Sequence, residues 1–372
     1  MKKKLAIIGA SYLQLPLILK AKEKGLETHV FAWKANDPGE YEADFFYPVS
    51  IVEKEEIEQM CREIGIDGIC SIASDLAMET VNYVADRLNL PANSLECTKL
   101  STNKHEMRQA FEKAGCSSCK SVEITTGQLD LLDDFQWPLI IKPADRSGSR
   151  GIALVFSKEE AAKAIEHASA ESFGHQVLAE NFIQGEEFSI ECISQNGKHV
   201  FLQATRKMTT GAPHFIETGH VEPSGLDDEL LARIKEEVFK GLDALQITTG
   251  ASHSEIKVDE SGNIGLIEIG GRMGGDCIGS HLVPCSTGLD FTEMVIDCAL
   301  GNPLNFEMKS EPVTAQSHFI LSEEDNQEFL KLQKKHPERI LEVVDYHPEK
   351  IGSTTDSSNR AGCYITIEPN RQ

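Results

Sequence analysis

The sequence predicts an α/β protein that opens with a doubly wound parallel sheet and becomes denser in strands after about residue 137. Three observations carry this. Short apolar runs alternate with stretches of helical period through the first 95 residues, the pattern of parallel strands joined by crossover helices. Hairpin signals follow, Asn196-Gly197 and the Asp-Glu-Ser-Gly-Asn run at 259–263, each between alternating strands. A chain of 372 residues also exceeds what one core usually holds, so several domains are expected.

Residues 3–8 (KKLAII) read as a buried strand ended by Gly9, and residues 13–24 as a helix stopped by Gly25. Strands at 28–33, 44–49 and 68–71 alternate with helices at 53–64 and 77–88, and the domain closes near Pro91-Ala92-Asn93. Gly9 is followed by Ala10, Ser11, Tyr12, Leu13 and Gln14, so the glycine fingerprint of a nicotinamide dehydrogenase is missing. A helix over 101–114, capped by Ser101 or Thr102, puts Lys104 and Arg108 on one face, by default a solvated basic face. Cys116 and Cys119 form a lone C-x-x-C without two further ligands and read as ordinary thiols.

The strand at 137–143 carries Lys142 in an apolar run, which requires a partner for its charge. The loop 145–151, with Ser147, Gly148, Ser149 and Gly151, joins it to a strand at 152–156 and can cradle phosphates through backbone N–H groups. It is not a Walker loop, because Gly-Lys-Ser/Thr is absent. A capping box at Ser157 opens a helix through Ala168. After a strand at 176–180 and a linker at 181–185, Glu187, Ser189 and Glu191 alternate with Phe188, Ile190 and Cys192 on a half-buried strand. Residues 209–224 read as a polar loop, long enough to be a lid, with His214 and His220 on its surface. A helix at 227–245 follows, and the last 70 or so residues look strand-rich, with one helix at 323–336 and a polar stretch at 352–360.

Composition narrows the function classes. A net charge of −23 argues against nucleic acid and anionic membranes as partners. The apolar run after Met1 is too short for a signal peptide, and no run of 18 apolar residues exists. Ten cysteines without a secretion signal are expected as reduced thiols in a cytoplasmic protein.

The most informative stretch is 250–276, GASHSEIKVDESGNIGLIEIGGRMGGD. It reads as two strands joined by a tight turn; pairing Val258 with Gly265 sets Glu255 directly opposite Glu268. Two facing carboxylates destabilise a sheet unless a positive charge sits between them, and Mg2+ suits one or two carboxylates plus phosphates. Arg272 follows in a Gly-rich turn.

Taken in order, a Lys-bearing helix, a strand Lys, a Gly/Ser loop, a Glu-containing linker and a two-Glu hairpin with Arg resemble the ATP-grasp superfamily. The motifs that carry the resemblance are PLIIKP at 138–143, ENFIQGEEFS at 180–189 and HSE at 253–255 with EIGGR at 268–272. The sequence is similar to the carboxylate–amine ligases of that superfamily, near the L-amino-acid (dipeptide) ligases. The resemblance implies an N-terminal pre-ATP-grasp α/β domain (1–95), a small lobe with linker helix (96–186), a large lobe with the catalytic site (187–305) and a C-terminal segment packing on that lobe (306–372). The ATP-grasp part would be α+β. Lys104, Lys142 and the loop Ser147, Gly148, Ser149 and Gly151 would hold ATP phosphates. Glu180, Asn181 and Phe182 would read the adenine edge, and Glu187 the ribose. Glu255 and Glu268 would ligate Mg2+, with Mn2+ as a substitute, and Arg272 would be the catalytic cation. Lys207, His253, Gly274 and Gly275 would border the substrates, a small carboxylate and an amine, in a homodimer. Many members carry Asn two residues after the second metal Glu; here it is Gly270, which leaves the second metal uncertain. Biotin-carboxylase-like, purine-biosynthetic and carbamoyl-phosphate chemistries share the expected ATP site, and a silent nucleotide-binding protein is the non-enzyme alternative.

Overall fold

In the computed structural model of the chain, residues 2–146, 150–211, 216–354 and 359–368 are described. The first elements follow the predicted alternation: β1 (Lys4–Ile8), α1 (Leu15–Glu23), β2 (Glu27–Phe31), α2 (Pro38–Glu42), β3 (Phe45–Tyr47), α3 (Lys54–Ile64), β4 (Gly68–Cys70) and α4 (Asp75–Leu88). The strands form one parallel sheet in the order β3-β2-β1-β4. Ile57 and Cys61 of α3 and Val81, Val84 and Ala85 of α4 pack with Ala6 and Ile8 of β1. Leu5 and Ile7 join a second core with Leu17 and Ile18 of α1. Strands covered on both faces read as continuous apolar runs, which is why KLAII was recognisable.

The helix expected over 101–114 is two helices, α5 (Leu95–Thr102) and α6 (Lys104–Ala114). The break is at Asn103, whose extended backbone leaves the helix and whose side chain accepts the N–H groups of His105 and Glu106. Asn at an N-cap supplies an acceptor that Ser101 or Thr102 would otherwise have to provide.

A small antiparallel sheet follows, built from β5 (Ser121–Glu123), β6 (Leu139–Pro143), β7 (Ala153–Val155) and β8 (Val177–Asn181) in the order β5-β8-β6-β7. Helix α7 (Lys158–Glu171), capped by Ser157, buries Ala161, Ala164, Ile165 and Ala168 against Leu139, Ile141, Val177 and Ala179.

The remainder builds one eight-stranded sheet. Its elements are β9 (Glu186–Gln195), β10 (Lys198–Thr209), β11 (Glu217–Glu222), α8 (Asp228–Ala244), β12 (Gly250–Val258), β13 (Ile264–Gly270), α9 (Val283–Thr287), α10 (Phe291–Ala299), β14 (Thr314–Ile320), α11 (Glu323–Lys335), β15 (Ile340–Tyr346) and β16 (Gly362–Glu368). The order is β13-β12-β9-β10-β11-β14-β16-β15. Two expectations change here. Residues 209–224 are not simply a surface loop, because β11 lies between β10 and β14 as an inner strand. Its polar sequence, ETGHVE, suggests a solvated segment, yet Gly219, His220 and Glu222 are buried and the other three residues half-buried. The C-terminal segment also does more than pack on the large lobe, since β14, β15 and β16 continue its sheet.

Helix α10 joins the first and last parts of the fold. Phe291, Met294 and Val295 share a core with Leu5 and Ile7 of β1, Leu17 and Ile18 of α1, Ile193 and Ala251 of the large sheet, and Met273 just beyond β13. The N-terminal domain is thereby seated against the end of β13.

The chain passes from the small sheet to the large one through Gly185, at φ +127. A Cβ there would lie 2.3 Å from the carbonyl oxygen of Val258. Gly185→Ala is expected to destabilise by roughly 2–4 kcal/mol in thermal or urea melts, through strain and overlap together. Gly197, at φ +72 with open space around it, should lose only about 1 kcal/mol on the same change. Equal losses at the two positions would contradict this.

Candidate functional site

One face of the large sheet carries the chemistry. Along β9, Phe188, Ile190 and Cys192 turn toward a core with Met107 and Phe111 of α6 and Ile234, Val238 and Leu242 of α8. Glu187, Ser189 and Glu191 alternate to the opposite face. Neighbouring strands add His253 opposite Glu191 and Glu255 opposite Ser189. Glu255 stands directly opposite Glu268, as the hairpin predicts. Its register differs in one respect: Val258 pairs with Ile264, and a bulge between Glu255 and Ile256 absorbs the difference. The extra residue, Ile267, turns its carbonyl to the Arg108 guanidinium, 2.5 Å away.

Each of the two facing carboxylates is met by an ammonium. Lys207 Nζ lies 2.7 Å from Glu255 and 2.6 Å from Glu187, with Glu217 at 3.8 Å. Burial opposes its charge, but the carboxylates of Glu187, Glu255 and Glu217 raise its pKa well above the usual lysine value. Burial likewise works against ionised Glu255, yet Lys207 and then His253 hold its pKa well below the carboxylate range. Lys104 Nζ lies 2.9 Å from Glu268 and donates to the Arg146 carbonyl at 2.7 Å.

Lys104 and Arg108 are therefore not a solvated basic face, since both are buried. Arg108 and Lys142 converge on Glu180, at 2.9 and 2.7 Å. Lys142 thus has the partner that an apolar strand demands. Burial pushes the Glu180 carboxyl up, but the two cations hold it down, to about 2. The Glu180 side chain is consumed by this triad, and Asn181 and Phe182, not Glu180, border the cleft. Asn181 is anchored by a hydrogen bond to the Gln136 carbonyl at 2.7 Å, and Lys257 lies 4.6 Å over the Phe182 ring.

Lys104, Lys142, Asn181, Phe182, Glu187, Lys207, His253, Glu255, Glu268 and Arg272 all border one cleft of about 1050 Å³, open to solvent. Gly151 does not border it and packs against Pro143. Ser147, Gly148, Ser149 and His214 lie outside the described residues. Gly274 donates its N–H to Glu191 at 2.9 Å, and Gly275 sits against Ala73. Glu191 also takes His253 Nδ1; burial opposes protonation of that imidazole, but Glu191 raises its pKa to about 9. His253 and Gly274 are thus bound to each other through Glu191.

Two participants are missing from the sequence expectations, and a third, His220, is placed differently. Asp75, at the start of α4, grips Arg272 with two hydrogen bonds of 2.8 and 2.9 Å. Arg360, from the polar stretch before β16, donates to Asp276 at 2.9 Å and Glu217 at 3.1 Å. His220 is not a surface histidine. It is 1% exposed on β11, its Nε2 is 3.5 Å from Asp276, and neither ring nitrogen has a hydrogen-bond partner among the described residues. Burial lowers its pKa despite Asp276. Asp75 and Arg360 meet the site only through chain folding, whereas Glu191 was visible in the alternation of β9.

The residues present fit a magnesium nucleotide. The two opposed carboxylates are hard oxygen donors, and among the described residues no group of three or more His, Cys, Asp and Glu side chains could hold a metal. Two carboxylates completed by phosphate oxygens suit Mg2+. Ile140, Ile152 and Ile183 line the same cleft beside Phe182 and offer an apolar berth for a base.

Residues 135–280 match the ATP-grasp domain family. The chain is 28% identical over 327 residues to alanine–anticapsin ligase of Bacillus subtilis (strain 168), covering 77% of this chain and 68% of that one. The L-amino acid ligase from Bacillus licheniformis superposes with a TM-score of 0.83 at 25% identity, over 99% of this chain and 94% of that one. Phosphoribosylglycinamide synthetase from Anaerococcus prevotii shares the fold, with a TM-score of 0.79 at 22% identity over 100% of this chain and 95% of that one.

Glu222, the last residue of β11, bears on the pH dependence of folding. It is fully buried and accepts the hydroxyls of Thr205 at 2.6 Å and Ser286 at 2.7 Å. Burial raises its pKa to about 8, against the pull of those two hydroxyls. An acid that keeps its proton when folded but loses it when unfolded stabilises less as pH rises from its unfolded value, about 4.3, to that folded value. Glu222→Gln, which carries no proton to lose, should gain stability relative to the parent as pH rises from 5 to 8. Urea melts at both pH values check this; a difference independent of pH would contradict it.

Proposed function

We propose, from the match of residues 135–280 to the ATP-grasp domain family, that the chain is an ATP-dependent ligase joining the carboxylate of one amino acid, or a small amino-acid-like acid, to the amine of another. The observation that carries this reading is the facing pair Glu255 and Glu268, each beside an ammonium, in a cleft shared with Arg272. Phosphoryl transfer is mainly positioning and neutralisation of charge. This face supplies both, with Lys104, Lys142 and Lys207 around the phosphates. When bound between Glu255 and Glu268, Mg2+ supplies charge neutralisation at the transferring phosphoryl group.

The substrate carboxylate attacks the γ-phosphorus, and ADP leaves, giving an acyl phosphate. The amine then attacks the acyl carbon, the C–O bond to phosphate breaks, and an amide and inorganic phosphate result. Arg272 holds the developing negative charge, so no nucleophile from the protein is required. The cleft shields the acyl phosphate from water. The names of the two ligases among the relatives point to amino acids as both substrates.

ADP release should be measured with the full chain over pairs of amino acids, with bicarbonate, and with purine intermediates. Turnover is expected only with amino acids present, and hydroxylamine should trap the activated acid. Glu268→Gln should lower kcat by about 100-fold, ~3 kcal/mol. Turnover with bicarbonate alone would favour a carboxylase. No ADP from any pair, together with full ATP affinity in Glu268→Gln, would make this a nucleotide-binding protein.

A further inference from the structure

The bare backbone at Gly270 lies on the polar face, opposite His253 and two residues beyond Glu268. A side chain there would point into the cleft that Gly270 lines. The space is taken. A Cβ built on Gly270 would lie 2.8 Å from Asp75 Oδ1 and 3.3 Å from Nε and Cζ of Arg272. The first distance is closer than real side chains tolerate, and the atom it meets is the one that receives Arg272 Nε. Any residue larger than glycine must therefore displace Asp75, Arg272 or both. Gly270 has no left-handed backbone to require glycine, so close approach is the reason left.

Asp75 comes from the N-terminal domain, 197 positions away from Arg272. Ser74 caps α4 and fixes its first turn, and the core shared by α10, β1 and α1 sets that domain against the large sheet. Both oxygens of Asp75 are used on one guanidinium. A two-point grip of this kind fixes the plane as well as the position of an arginine.

We propose that Asp75 is a positioning residue for Arg272, that Gly270 is what makes room for it, and that the site consequently holds a single divalent cation, on Glu255 and Glu268. A second cation would lack a third protein ligand at 270. The inference rests on the ligase reading for the role of Arg272, but its metal count does not depend on any substrate acid or amine.

The test is a Mn2+ titration of the full chain with one equivalent of ADP, read by the electron spin resonance of free Mn2+. One tightly bound ion per chain is expected in the parent and in Gly270→Asn, and a second only when Asn at 270 is combined with Asp75→Ala. Two tight ions in the parent, or in Gly270→Asn with Asp75 in place, would overturn the proposal. In steady-state kinetics Asp75→Asn should lower kcat at least tenfold while the KM for ATP moves less than twofold. Should Asp75→Asn fail to fold, Gly270→Ala, which adds only the crowded Cβ, should show the same split. Full kcat in Gly270→Ala would contradict the role of the close approach. If no acid–amine pair supports turnover, the ligase reading fails, and the Mn2+ count still decides the number of metal sites.

Discussion

Glu255 and Glu268 face each other across two paired strands, and like charges in that position push a sheet apart. The surrounding structure answers that repulsion. Lys207 reaches Glu255 from β10 and Lys104 reaches Glu268 from α6. Bringing an ammonium to each carboxylate turns a destabilising pair into an alternating array of charge, one that is compact before any ligand arrives. In each pair the ammonium is buried and the carboxylate half-buried, so losing the carboxylate would leave a buried charge uncompensated. The array is therefore both a stabilising contact and a template for phosphate and metal.

The same requirement draws distant parts of the fold together. Helix α6 must break from α5 at Asn103 so that Lys104 and Arg108 turn inward rather than to solvent. The small sheet supplies Lys142 and Glu180, and Glu180 binds Lys142 and Arg108 together. The N-terminal domain contributes Asp75 to Arg272. The C-terminal strands bring Arg360 to Asp276 and Glu217 at the other end of the face. Cations and carboxylates from distant segments thus alternate across the sheet, and each segment is placed by an apolar core on its other side.

Local patterns were legible in the sequence. Alternation along β9 and the tight turn between β12 and β13 predict the faces and the pairing of Glu255 with Glu268. An apolar strand containing Lys142 predicts a partner without saying which. The bulge at Ile267 hid one residue of register, because period-two patterns do not mark where a ladder slips. Asp75, Arg360 and the burial of β11 were hidden for a different reason. Asp75, Arg360 and Glu222 find partners far away in the chain, and polarity read locally suggests solvent. Gly270 stood out as an absence; its cause, Asp75, is visible only once the domains are docked.

In the proposed reaction this charged face activates a carboxylate by transferring phosphate to it. The most direct measurement follows oxygen. With an amino acid carrying ¹⁸O in its carboxylate, ligation through an acyl phosphate places one labelled oxygen in the released inorganic phosphate, detectable by mass spectrometry. The account predicts one ¹⁸O per phosphate formed, in step with amide product. Unlabelled phosphate accompanying amide formation would contradict it.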